Sequence, residues 1–149
     1  MEEDKQSKEQ QSAIVDDRAT LECVVGPDDM IYLTVGGSVT GEHIEEFKAW
    51  GEKIKAAMVM LSKKNPDRVL TLIDVTKLAE FDLATTRELY GLMKFNKNYA
   101  TRTALFGASY FTQAMIEAMT GLTHRTNMKI FPTREEALAW LLKGEGSPS

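Results

Sequence analysis

The chain is poor in the residues that most often carry chemistry. Its 149 residues include one cysteine and two histidines. Cys23 alone cannot close an internal disulfide, and the paired cysteines of a structural metal site are missing. His43 and His124 leave little scope for histidine catalysis. Basic residues are not in excess either: 18 Lys and Arg face 22 Asp and Glu, for a net charge of −4. Nothing in that balance neutralises a phosphate backbone, so nucleic-acid binding is not expected. No apolar run reaches the ~18 residues that a membrane-spanning helix requires. The opening MEEDKQSKEQQ lacks the basic start and apolar run of a secretory signal. A cytoplasmic chain that does not span a membrane is the expectation, in keeping with a lone thiol.

What is present suits a globular protein: 43% apolar and 27% charged residues. The length fits one domain, and dividing it would leave each half with a marginal core. Residues 1–19 are rich in Glu, Gln, Lys, Ser and Asp and read as a disordered acidic and polar tail. Residues 144–149, GEGSPS, read as a flexible end after a helix stop at Gly144. The folded unit is 20–143.

That unit opens with two short β-branched runs, 21–25 and 30–35, around Gly26-Pro27-Asp28-Asp29. Proline in the second turn position presets φ for a type I turn, so a hairpin is expected. Gly36-Gly37 should end the second strand. A helix follows over 40–63, with Thr40 as its cap. Ile44, Phe47, Ile54, Met58 and Leu61 form its apolar stripe, and Asn65-Pro66-Asp67 ends it. The run 69–75, VLTLIDV, does not alternate, as befits a strand covered on both faces. A short loop then leads to Asp82, the expected cap of a helix over 83–97 with Leu83, Thr86, Leu89, Tyr90 and Met93 inward. A strand at 103–107 precedes a helix capped by Ser109, with Phe111, Met115, Ala118 and Met119 inward and a stop near Gly121. The strand 128–131 leads through Thr133 and Glu136, a capping box, into a last helix. The order ββαβαβαβα predicts an α/β domain with a mostly parallel sheet and an N-terminal hairpin. The exposed edge of that hairpin could pair with a second copy in a homodimer.

The chain carries few catalytic motifs. The glycine-rich phosphate signatures are absent. Gly107-Ala108-Ser109 lies where a hydrolase would hold its nucleophile, and His124 follows downstream, but the closing glycine of that motif is missing. Ser109 reads better as a helix cap. Glu42, His43 and Glu46 read as a solvated helix face rather than a metal site, and no cofactor is expected. Cys23 reads as a small buried apolar residue. Lys63, Lys64, Arg102, His124 and Arg125 read as scattered solvated charge. The eight methionines read mostly as core filler, with an adaptable apolar pocket as the alternative.

From about Leu21 to Leu142 the chain resembles the SpoIIAA-like branch of the STAS superfamily. The resemblance rests on three strings in order. Asp74-Val75-Thr76 is followed by a loop to Asp82 and a helix. Ala104-Leu105-Phe106-Gly107 precedes another helix. Ile130-Phe131-Pro132 runs into Glu135-Glu136-Ala137-Leu138-Ala139-Trp140-Leu141. It implies a non-catalytic signalling or ligand-sensing module that binds a partner protein, or an apolar small molecule or lipid. Helix N-termini converge on the C-terminal edge of such a sheet. The expected binding residues there are Asp74, Thr76, Phe81, Asp82, Gly107, Ala108, Ser109 and Tyr110. Anti-sigma-factor antagonists of the family carry a phosphoacceptor serine directly after the aspartate of the second helix. Leu83 occupies that place here, so Thr85 and Thr86 are the phosphoacceptor candidates for a phosphorylation-switched alternative.

Overall fold

The computed structural model describes residues 19–143. Both expected end segments lie outside that range, apart from Ala19. Within it are six strands, β1 (Thr20–Val25), β2 (Ile31–Val39), β3 (Leu70–Asp74), β4 (Leu78–Phe81), β5 (Arg102–Phe106) and β6 (Met128–Phe131). Four α-helices join them: α1 (Ile44–Lys64), α2 (Leu83–Lys97), α3 (Tyr110–Thr123) and α4 (Arg134–Leu141). The sheet runs β1-β2-β3-β5-β6, with β1 antiparallel to β2 and the other neighbours parallel.

The hairpin forms as its turn residues require. Asp29 N–H donates to Gly26 O (3.0 Å) around Pro27 and Asp28, and Gly26 N–H closes the ladder onto Met30 O (2.9 Å). Asp29 itself takes φ +60°, the left-handed residue that completes a three-residue hairpin loop.

Two glycines behave otherwise than expected. Gly36-Gly37 does not end β2; the strand continues to Val39 with a register shift at Gly37. A side chain at Gly36 would lie 3.3 Å from Lys77 Cβ, and Gly37 N–H donates to Lys77 O (2.8 Å). The glycines admit the crossing backbone, which then runs beside β2 as β4. The expected loop before Asp82 therefore contains a strand, and the order is ββαββαβαβα.

The sheet divides the core in two. On one face Leu33, Val35, Leu105 and Val75 pack with Phe47, Trp50, Ile54, Met58 and Leu61 of α1 and Leu92 of α2. On the other, Leu70, Leu72, Ala104 and Phe106 pack with Ala137 and Leu141 of α4. Alternate residues of β3 and β5 serve the two faces, which explains the unbroken apolar run in the sequence. Trp50 Nε1 donates to Glu22 O (2.8 Å), tying α1 to the edge strand β1. Thr40 caps a single 3-10 turn, Gly41–His43, and α1 proper starts at Ile44.

The rotation of two helices differs from the sequence reading. In α2 the buried residues are Thr85, Leu92, Met93 and Asn96, while Leu83 is 65% exposed. In α3 they are Thr112, Ile116, Met119 and Thr123, while Phe111 is 70% exposed. Threonine fills these inward places because its hydroxyl finds a backbone acceptor: Thr123 Oγ1 donates to Met119 O (2.8 Å) and Thr85 Oγ1 to Val39 O (3.0 Å). With that group satisfied, the methyl packs as a small apolar side chain would.

Candidate functional site

The parallel strands β2, β3 and β5 end at one edge of the sheet, and α2 and α3 both start there. Asp82 caps α2. Its Oδ1 accepts from Thr85 N–H (3.0 Å) and lies 2.9 Å from the Thr85 hydroxyl, whose single proton it shares with Val39 O, and its Oδ2 accepts from Gly41 N–H (2.6 Å). The Thr85 and Gly41 amides hold its carboxyl below the ordinary carboxylate range. One aspartate thus orders the start of α2 and the entry to α1 together.

A second cluster joins the β3 and β5 loops. Asp74 Oδ1 accepts from Thr76 N–H (2.9 Å) and Thr76 Oγ1 (2.7 Å), forming an Asx turn. Gly107 lies directly against it at φ +82°, where an added Cβ would come 2.1 Å from Thr76 Cγ2. Val75 N–H donates to Phe106 O (3.2 Å), and Gly107 N–H to Phe131 O (3.3 Å).

Of the eight expected binding residues, the structure therefore brings Asp74, Thr76 and Gly107 into direct contact. Asp82 belongs to the neighbouring cluster with Gly41. Phe81 and Ala108 are partly buried and pack on the main core. Ser109 caps α3, accepting from Thr112 N–H (3.1 Å), and Tyr110 is 89% exposed.

Among the remaining candidates the reading of Arg125 changes. Ser109 and His124 flank α3, separated by about 22 Å at ~1.5 Å per residue, so they form no nucleophile–base pair. Thr85 is fully buried, and its hydroxyl has two partners; Thr86 Oγ1 donates to Asp82 O (2.8 Å). Arg125 is not solvated charge: it is 6% exposed, and burial lowers its guanidinium pKa to about 10.

Sequence reasoning missed Leu83 and Phe111 as surface residues, having placed both inward. Their signal was available in the caps: Leu83, Tyr110 and Phe111 lie one or two residues past Asp82 or Ser109, while the third residue past each cap, Thr85 or Thr112, is the buried one.

The profile of the SpoIIAA-like family matches residues 30–142. The chain belongs to the SpoIIAA-like family. Solved structures agree on the fold. A Shewanella loihica protein of the DUF3478 family with a SpoIIAA-like fold is 19% identical at a TM-score of 0.61, covering 83% of this chain and 93% of that one. The anti-sigma factor antagonist SpoIIAA in its unphosphorylated form is 16% identical at 0.55, covering 83% and 99%. An anti-sigma factor antagonist from Mycobacterium paratuberculosis is 16% identical at 0.52, covering 85% and 97%. No curated protein gives a significant match. Among the described residues, no helix is long and apolar enough to cross a membrane.

Proposed function

We propose that this SpoIIAA-like chain is a non-catalytic signalling module that docks a partner protein at the C-terminal edge of its sheet. One observation carries the reading: Leu83, Tyr110 and Phe111 stand 65%, 89% and 70% exposed on the first turns of α2 and α3. Large apolar side chains on rigid helix starts are what protein recognition uses as anchors. The caps at Asp82 and Ser109 hold that rim in place before any partner arrives. The likeness to anti-sigma factor antagonists supports a regulatory setting, and the lone thiol supports a cytoplasmic one.

The geometry favours docking without a phosphate switch. Leu83 offers no hydroxyl, and the Thr85 and Thr86 hydroxyls are engaged within the fold. The test is quantitative cross-linking of the full chain in its own host, beside a Tyr110→Ser, Phe111→Ser double variant. The expected result is a defined protein adduct that falls at least tenfold in the variant, with circular dichroism and melting temperature unchanged. Equal recovery from both would remove the rim from the reading. A second reading, small-molecule sensing, has separate support in an interior cavity beside Arg125.

A further inference from the structure

Between the sheet and helices α1, α2 and α3 lies a cavity of about 60 Å³. Most of its wall is aliphatic or aromatic, including Ile54, Leu92, Leu105 and Ile116. One part is polar. Thr71 of β3 and Thr103 of β5 are register partners on the same sheet face, and Asn96 of α2 and Arg125 line the same space.

The polar part is not balanced. Arg125 Nε donates to Asn127 Oδ1 (2.9 Å), Nη2 to Thr103 Oγ1 (3.0 Å) and Nη1 to Met93 O (3.4 Å). All three acceptors are neutral. A guanidinium has five N–H donors, so one on each Nη has no acceptor among the described residues. Thr71 Oγ1 and Asn96 Oδ1, on residues 1% and 8% exposed, have no hydrogen-bond partner among the described residues. A buried charge is ordinarily matched by an opposite charge, and buried polar atoms by hydrogen bonds. Arginine cannot escape by losing its proton near neutral pH.

We propose that this cavity is a binding site for a small monocarboxylate, whose carboxylate is received by Arg125 and Thr71. The charge deficit asks for one negative charge. The paired oxygens of a carboxylate match the guanidinium and can also accept from the Thr71 hydroxyl. Asn96 completes the polar wall, presenting either end of its amide after a half-turn. The aliphatic remainder suits a short hydrocarbon tail, and the volume, roughly the space of two waters, restricts that tail to about one carbon. None of these residues belongs to the exposed rim, so this site and the docking reading stand or fall separately.

The test is a methyl-NMR titration of the full chain with sodium acetate, propionate and butyrate, against sodium chloride at the same pH and ionic strength. Saturable shifts are expected for the methyls of Thr71, Leu92, Leu105 and Ile116 with at least one acid and not with chloride. Thr71→Val and Asn96→Leu should each weaken that binding at least threefold. Both keep the Arg125 contacts, so they stay informative if Arg125→Met fails to fold. The Tyr110→Ser, Phe111→Ser chain should bind the acid unchanged. The proposal is overturned by the absence of saturable shifts with all three acids, by equal shifts with chloride, or by unchanged affinity in both cavity variants. Tighter binding of octanoate than of butyrate at the same methyls would overturn the short-chain assignment.

Discussion

Replacing Gly107 by alanine tests the contact that joins the β3 and β5 loops. Gly107 has φ +82°, and a Cβ there would lie 2.1 Å from Thr76 Cγ2 and 3.1 Å from Thr76 Cα. The left-handed backbone costs a non-glycine residue about 1–2 kcal/mol. Forcing a methyl into filled space costs about 1–3 kcal/mol more as neighbours shift. Gly107→Ala should therefore destabilise the fold by roughly 2–5 kcal/mol, a large share of the ~5–15 kcal/mol typical of a domain. The assay is urea unfolding followed by circular dichroism, and the melting temperature should fall by ~10 °C. Thr76→Ser separates the two contributions, because it removes Cγ2 while keeping the hydroxyl bonded to Asp74. In that background the cost of Gly107→Ala should shrink toward the backbone part alone. Gly91→Ala is the control: an added Cβ there meets nothing within 4 Å in the middle of α2, so alanine should stabilise by about 0.5–1 kcal/mol. A loss below ~1 kcal/mol for Gly107→Ala, or the same loss in both backgrounds, would refute the reasoning.

Asp82 is held ionised by the Thr85 and Gly41 amides, with its pKa lowered. Its contribution is therefore full above the unfolded carboxylate value of ~3.9 and is lost as pH falls through the lower folded value. Asp82→Asn should be less stable than the parent at neutral pH, and the gap should close in acid melts. Ser109→Ala should cost ~1 kcal/mol through the lost cap and leave any background ester hydrolysis unchanged, as measured by melting and a chromogenic ester. Cys23 has its thiol pKa raised, burial outweighing the favourable Lys53 charge; a disulfide reagent should modify it slowly in the native chain and rapidly once urea unfolds it. Thr85→Val leaves Val39 O without the hydroxyl that now donates to it and should cost about 1–3 kcal/mol, read as a fall in the urea midpoint.

Within the sheet edge the sequence was informative where chemistry is local. Asp82, Ser109 and Thr133 cap α2, α3 and α4 through their own side chains, each accepting from the amide three residues on. That interaction spans one turn and needs no distant partner, so residue type and spacing suffice to place it. The same holds for the Pro27 turn and for the apolar run that became β3. Helix rotation was less legible. Leu83 and Phe111 are the more apolar residues, yet Thr85 and Thr112 face inward, because the caps set the phase and the threonine hydroxyls find partners, Val39 O for Thr85 and the capping Ser109 Oγ for Thr112. Apolar spacing alone cannot see such a bond, since its acceptor at Val39 lies 46 residues away.

The sequence by itself determined the α/β class, the hairpin, the helix caps and the family, all of which rest on short-range patterns and their order along the chain. Tertiary structure alone decided the rest. It passed Lys77 close over Gly36 and Gly37 and so made β4 a strand. It pressed the Asp74 turn against Gly107 and enclosed Arg125 among neutral acceptors. Each of these joins residues far apart in the chain, and the physical reason is common to them: burial and close approach depend on which distant segment arrives, and no local pattern of residue types records that.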